Sequence, residues 1–222
     1  MIKNRLLLTD DGSHTIFSEK FGENYHSGFG AIQESKHIFI DAGLNTVIDK
    51  NLTDLRILEV GSGTGLNMLL AYLWSEENNI SVTYYGLEPF PICKNEALLL
   101  NYPNQLGIDK NLFLDIHNDI GNSKKLSGKF LFQVNSDLIE DANLPDSYYN
   151  VVFFDAFSPD AQPEVWTPDI FINIYKSMVA DSVLTTYSCK GIVKRALKEA
   201  GFRIEKLPGP PGKREFLRAW KL

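Results

Sequence analysis

Cysteine is almost missing from these 222 residues: Cys93 and Cys189 lie far apart and without metal-ligand spacing. That pattern excludes a disulfide framework or a structural zinc centre as an organising feature. His14, His37 and His117 show no ligand spacing with one another either, and no metal is expected. No uninterrupted apolar run approaches membrane-spanning length, and Met1 to Asp10 has neither the length nor the cleavage signature of a secretion signal. A cytoplasmic protein with no membrane partner is the expectation. Repeats and low-complexity tracts are also missing, and 44% hydrophobic content suits one α/β domain with a full core.

Positive charge is scarce through residue 189, where 12 Lys or Arg face 25 Asp or Glu, a balance of −13. Residues 190–222 invert it. There Lys190, Lys194, Arg195, Lys198, Arg203, Lys206, Lys213, Arg214, Arg218 and Lys221 stand against Glu199, Glu205 and Glu215, giving +7 and leaving −6 for the whole chain. A basic face on an acidic body suits a protein one side of which meets phosphates. A solvated helix face beside ordinary strand-edge lysines is the alternative.

A dinucleotide fingerprint is absent too. The stretch Arg56-Ile57-Leu58-Glu59-Val60-Gly61-Ser62-Gly63-Thr64-Gly65-Leu66 reads as a buried strand entering a glycine turn that opens a helix. The pattern G-x-G-x-x-G would need Gly or Ala at Leu66 or Met68, which disfavours nicotinamide and flavin. The alternating Gly61, Gly63 and Gly65 nevertheless let a ligand approach the backbone and the free N–H groups of a helix start. Glu88 closes a second apolar segment, Ser81 to Leu87, 23 residues after Gly65, where a carboxylate can accept both hydroxyls of a ribose. This E-x-G-x-G-x-G loop resembles motif I of the class I S-adenosylmethionine (SAM) methyltransferases, in which the carboxylate at the Glu59 position lies close to the methionine part of the cofactor. An ordinary strand-to-helix turn is the alternative, and the placement of Glu88 weighs against it.

Strand and helix signals alternate, which predicts a parallel sheet with helices on both faces. A helix is expected over about Ala31 to Ile48. Strand Leu55 to Val60 should lead into helix Gly65 to Trp74, and strand Ser81 to Leu87 into helix Pro91 to Leu100. Leu112 to Ile116 and Lys129 to Val134 read as a hairpin or adjacent strands. Strand Asn150 to Phe154 ends at Asp155, and Thr167-Pro168-Asp169 gives a helix start running to about Val179. Strand Val183 to Tyr187, helix Lys190 to Ala200 with Gly201 as its cap, and an antiparallel pair, Phe202 to Leu207 with Glu215 to Lys221, complete the chain. The expected fold is Rossmann-like: a seven-stranded, mostly parallel sheet of the class I methyltransferase type with an antiparallel C-terminal strand. Residues 1–50 would form a small N-terminal extension helping to build the site, and residues 51–222 the methyltransferase domain.

Ligands in such sheets bind beyond the carboxyl ends of the strands. Besides the glycine loop and Glu88, that rule selects Asp137 and Asp155 with Ala156-Phe157-Ser158-Pro159. Asp137 suits either the adenine amino group or a plain turn. Asp155 and Phe157 lie where a cofactor's reactive end would meet a substrate. A carboxylate there can orient an amine and stabilise the charge that develops on its nitrogen, while an aromatic ring packs on a flat base. His26 is either close to the entering amine or an ordinary loop histidine. Trp166 reads as packing that fixes the Asp155 loop.

Several motifs in order then carry a family resemblance over nearly the whole chain. Asp11-Gly12-Ser13-His14-Thr15, Glu23-Asn24-Tyr25-His26-Ser27, Gly30-Ala31 and Gln33-Glu34-Ser35 resemble the N-terminal signature of the MnmD family, the stand-alone relatives of the methyltransferase half of the bifunctional tRNA-modifying MnmC proteins. Asp155-Ala156-Phe157-Ser158-Pro159 resembles its D-[GA]-F-[SA]-P. Pro163-Glu164 and Trp166-Thr167 follow, with Gln162 where asparagine is usual. Tyr187-Ser188-Cys189, Val193-Lys194-Arg195-Ala196-Leu197, Ala200-Gly201-Phe202 and Pro211-Gly212-Lys213-Arg214-Glu215 resemble its closing motifs, whereas Asn101 to Lys129 match weakly. The resemblance implies SAM-dependent N-methylation of the aminomethyl group on a wobble uridine of tRNA, usually 2-thiolated. Tyr25, Ser27, Glu59, Gly61, Glu88 and Asp137 would contact SAM, with Gly63 and Gly65 completing the loop. Asp155 and Phe157 would hold the base, and Lys194, Arg195, Lys213 and Arg214 the tRNA backbone. A separate enzyme system would supply the aminomethyl precursor. An enzyme acting on a small amine, by methyl or aminopropyl transfer, and a non-catalytic SAM-binding module remain as alternatives.

Overall fold

Strand β4 (Asp54–Val60) sends Leu55 and Ile57 into one hydrophobic cluster and Leu58 and Val60 into another, so it is buried on both faces like the central strand of a parallel sheet. The computed structural model describes residues 4–48, 53–118 and 120–222; the boundary expected between residues 50 and 51 lies outside them. Parallel to β4 run β5 (Ser81–Leu87) on one side and β8 (Tyr149–Phe154) on the other. The sheet continues through β7 (Phe130–Asn135) beyond β5, and through β9 (Met178–Thr186) beyond β8. Strand β11 (Glu215–Lys221) inserts between β9 and β10 (Arg203–Pro208), antiparallel to both. Seven of the eight strand segments read from the sequence are therefore present, and the two-residue β6 (Lys124–Lys125) adds a further strand, antiparallel to β7. The order is β10-β11-β9-β8-β4-β5-β7-β6.

Helix α2 (Leu66–Asn78), a helical segment starting at α1 (Ala31–Ser35), and α5 (Lys110–Asn118) contribute to one cluster, while α6 (Pro168–Ser177) and α7 (Gly191–Glu199) contribute to the other. Alternation along β8 places Val151 and Phe153 in the first cluster and Val152 and Phe154 in the second. Glu59, out of step with Leu58 and Val60, therefore points toward α2.

Three expectations fail on local structure. Leu112 to Ile116 is not a strand but the middle of α5, with Phe113, Leu114 and Ile116 buried. Asp109 Oδ1 accepts the Asn111 N–H at 2.9 Å, a helix N-cap that residue alternation conceals. The helix expected over Ala31 to Ile48 changes character at Lys36, where a π-helical stretch, Lys36–Asp41, lets Ile38, Phe39 and Ile40 all face inward. The helix expected from Pro91 to Leu100 shrinks to α3 (Lys94–Ala97), with the short α4 (Tyr102–Leu106) after it.

The N-terminal segment forms a separate three-stranded antiparallel sheet, β1 (Arg5–Leu8), β2 (His14–Ser18) and β3 (Glu23–Asn24). Its turn is the capping device of α1. Asp11 Oδ2 accepts the Gln33 N–H at 3.0 Å, and Ser13 Oγ accepts the Ala31 N–H at 3.1 Å. First-turn donors of α1 thus find acceptors far back in sequence. Among the described residues, no helix is long and apolar enough to cross a membrane.

Candidate active site

Beyond the carboxyl ends of β4, β5 and β8 lies a cavity of about 400 Å³, within the range that holds a small ligand. It is floored by the loop between β4 and α2. Gly61 has φ +87°, and a Cβ there would come within 2.7 Å of the Asp155 carbonyl oxygen; Gly63 has φ +46°, and a Cβ would come within 2.8 Å of the Tyr25 ring. Side chains at these two positions would fill the space between loop, β8 tip and N-terminal segment. Gly65 sits at the N-cap of α2, against His117 and Ile116 and outside the cavity lining.

Glu88 occupies the tip of β5 and lines the cavity. Its Oε2 accepts the Gly63 N–H at 2.6 Å and its Oε1 the Phe90 N–H at 2.9 Å, so the carboxylate is held in one orientation with lone pairs to spare for a diol. Burial pushes its pKa up, opposed by these two N–H donors and by Lys20. Glu59 is wholly buried beneath the loop. Burial raises its carboxyl to about 7, against the pull of Asn67, Tyr84 and Ser62. Asn67 donates to Glu59 Oε1 at 2.9 Å, while Oε2 has no hydrogen-bond partner among the described residues.

Asp155 opens onto the cavity and accepts a hydrogen bond from Asn67 Nδ2 at 2.8 Å. Burial and the neighbouring Glu59 and Glu34 carboxylates hold its pKa well above the usual range, with Asn67 and Lys213 pulling the other way. Its loop is braced from three sides. Trp166 Nε1 donates to the Phe157 carbonyl at 2.8 Å and the Tyr187 hydroxyl to the Ala156 carbonyl at 2.9 Å; Glu23 accepts both the N–H and the hydroxyl of Ser158, at 3.1 and 2.5 Å. The Phe157 ring stacks on Phe21 at 4.2 Å and meets Tyr25 edge-on at 4.9 Å, giving the cavity an aromatic wall.

Other residues singled out in the sequence fall as follows. Tyr25 and Ser27 line the cavity, and the Ser27 N–H donates to Glu34 Oε2 at 2.7 Å. His26 is buried, bonds Thr64 Oγ1 at 2.8 Å and is lowered by burial to about 4, so it is neutral near pH 7 and ties the N-terminal segment to the glycine loop. Asp137 is exposed, outside the cavity lining, beside Asn135 at 3.3 Å. Lys213 departs most from expectation: rather than standing on a basic surface, it turns into the cavity, pairs with Glu34 Oε1 at 2.5 Å and lies 4.1 Å from the Tyr187 ring centre. The loop between β10 and β11 carries it there. Lys194 is half-buried on α7, and Arg195 and Arg214 are exposed; all three lie outside the lining, and none forms an ion pair among the described residues. Asn67, Glu34, Glu23 and Tyr187 belong to the site without having been singled out for it. Among the described residues, no group of three or more His, Cys, Asp or Glu is placed to hold a metal ion.

A glycine cradle, a diol-accepting carboxylate and an unpartnered buried carboxylate oxygen fit SAM, which carries a ribose and two cationic groups. A family model described as S-adenosyl-L-methionine-dependent methyltransferase matches residues 122–222. The chain is 30% identical, over an aligned span of 228 positions that takes in 95% of its own length, to the tRNA 5-methylaminomethyl-2-thiouridine biosynthesis bifunctional protein MnmC of Leptospira interrogans, and covers 34% of that protein. A second MnmC, from Nitrosospira multiformis, is 29% identical over 91% of the chain and 35% of its own length. The chain thus spans about a third of the curated relatives it matches. The crystal structure of MnmC2 from Aquifex aeolicus superposes with a TM-score of 0.79 at 27% identity, over 99% of this chain and 71% of that one. Spermidine synthase from Thermotoga maritima shares the fold alone, with a TM-score of 0.54 at 13% identity over 98% and 73%. The molecule has the Rossmann-like fold of SAM-dependent methyltransferases, and residues 122–222 match their family model. Among such proteins it is similar to MnmC and MnmC2 over nearly its whole length.

Proposed function

We propose that the chain methylates the exocyclic amine of 5-aminomethyluridine, with or without a 2-thio group, at the wobble position of tRNA, giving 5-methylaminomethyluridine. The observation that carries this reading is the half-buried Asp155 carboxylate at the tip of β8, sharing one cavity with Glu88 and with the Phe157 ring of its own loop. The names of the MnmC relatives support the choice of nucleoside.

When bound, SAM supplies a methyl group made electrophilic by its sulfonium. Glu88 would accept the ribose hydroxyls, with Tyr25, Ser27, Glu59 and the glycine loop around the remainder. Asp155 would accept an N–H of the uncharged amine and so aim its lone pair along the C–S axis, while Phe157 packs on the uracil. A C–N bond forms, the C–S bond breaks with its electron pair left on sulfur, and one proton departs the nitrogen. No strong base is required; Asp155 stabilises the charge that develops on nitrogen in a site shielded from water. The described residues of the N-terminal extension help to build the site, with Tyr25, Ser27 and Glu34 in its wall, and Lys194, Arg195 and Arg214 are available to the tRNA backbone. Such an enzyme works in the cytoplasm on precursor made by a separate system.

Incubation with labelled SAM and tRNA bearing aminomethyluridine, followed by nucleoside mass analysis, tests this reading. Label in methylaminomethyluridine is expected. Label in a polyamine instead, or in neither, overturns it.

A further inference from the structure

Asn67, in the first turn of α2, is 3% exposed, and its Nδ2 donates at 2.9 Å to Glu59 Oε1 and at 2.8 Å to Asp155 Oδ2. An amide NH2 group has two donors, and these carboxylates take both. Asp155 accepts no other side-chain hydrogen bond among the described residues. Two carboxylates within reach of one amide repel each other where water is excluded, so donors between them lessen that repulsion and dictate where each one points. The helix holds the amide firmly, because Leu66, Met68 and Leu69 around it are all fully buried.

We propose that Asn67 is the positioning residue of this site: its amide aims Glu59 at the cofactor end and Asp155 at the acceptor end, so one group sets both halves of the cavity. Its Asp155 arm rests on the methyl-transfer reading above, whereas its Glu59 arm needs only SAM binding. The charges and titratable groups facing Asp155 are Glu59 from β4, Glu34 from α1, Lys213 from the β10–β11 loop, Tyr84 from β5 and Tyr187 just after β9. Without the amide donor, Glu59 and Glu34 are opposed by Lys213 alone among these, and the acid limb of turnover moves to higher pH.

The test compares Asn67→Leu, close in shape but without donors, and Asn67→Ala, each alone and combined with Asp155→Asn. Thermal melts by circular dichroism establish folding, calorimetry gives SAM affinity, and turnover is measured on tRNA bearing aminomethyluridine across pH. Removing a donor to a buried carboxylate predicts a loss of roughly tenfold or more in SAM affinity and in turnover. With Asp155→Asn already present, the Asn67 change should cost turnover less than about threefold, because its partner is no longer a carboxylate. Wild-type affinity and turnover in Asn67→Leu would mean the residue merely fills space and would overturn the proposal, as would fully additive losses. Should Leu or Ala fail to fold, Asn67→Ser, with one donor, makes the same comparison. If the wild type leaves the tRNA unmethylated, the functional reading falls, and the calorimetric loss alone then decides the Glu59 arm.

Discussion

Binding of SAM should release protons at neutral pH. Glu59 lies under the glycine loop with burial holding its carboxyl at about 7, so about half of the molecules carry a proton there at pH 7. A ligand bearing a sulfonium and an ammonium beside this group favours the carboxylate. Occupancy of the cavity should therefore expel up to about half a proton from Glu59 at pH 7. Calorimetry at pH 7 in phosphate and in Tris, whose ionisation enthalpies differ widely, reads this number from the difference in observed heat. The release should fade by about pH 9, where Glu59 is already ionised, and shrink in Glu59→Gln. The demethylated product, lacking the sulfonium, should release fewer protons than SAM. Identical heats in the two buffers would refute the buried, proton-holding carboxylate and with it the electrostatic account of the pocket.

The same group makes the ligand-free fold sensitive to pH with a defined sign. A carboxyl raised from 4.5 to about 7 keeps its proton in the folded chain after the unfolded chain has lost it. Its contribution is therefore fully present below about 4.5, is lost as pH rises to about 7, and amounts to about 3 kcal/mol. Melting temperatures without ligand should fall across that window, and saturating SAM should flatten the slope.

Three further outcomes are expected. Asp155→Ala should leave SAM affinity within a few-fold while lowering turnover on tRNA about a hundredfold or more; unchanged turnover would remove Asp155 from the chemistry. Neutralising Lys194, Arg195 and Arg214 together should weaken tRNA binding and flatten its salt dependence with SAM affinity unchanged, and an unaltered salt slope would place the RNA on another face. Gly61→Ala sets a Cβ 2.7 Å from the Asp155 carbonyl oxygen at φ +87°, so it should lower stability by about 1–3 kcal/mol and abolish detectable SAM binding. Wild-type melting and calorimetry in that variant would contradict the close approach of loop and β8 tip.

The strands that hold the site were legible because parallel strands buried on both faces read as continuous apolar runs. Ser81 to Leu87 matches β5 at both ends, and β4 and β8 each begin one residue earlier than expected. α5 was not legible, since Leu112, Leu114 and Ile116 alternate as in a strand, and the buried Phe113 between them shows that a helical face is the better description. Asp109 was the available signal, as an N-cap ahead of Lys110. Lys213 illustrates a different obstacle. Charge counting treats every lysine of a basic tail alike, and only the fold of the β10–β11 loop onto Glu34 separates it from Arg214, its exposed neighbour.

The motif residues near the N-terminus also gain a physical meaning that pattern matching leaves blank. Asp11 and Ser13 accept first-turn N–H groups of α1, and α1 in turn carries Glu34 into the cavity wall, where its two oxygens hold the Ser27 N–H and the Lys213 ammonium. Thr15 Oγ1 accepts the His26 N–H at 3.0 Å, and the His26 ring reaches Thr64 on the glycine loop. Glu23 grips Ser158 beside Phe157. Each of these polar side chains is therefore spent on joining segments distant in sequence, and under the proposed function the reacting end of the pocket falls to Asp155, with Glu59 and Asn67 behind it. A signature of this kind constrains geometry as strongly as chemistry. Loss of Asp11 or Ser13 should then resemble loss of Glu34, loosening Lys213 and the cavity wall together rather than changing any group at the β8 tip.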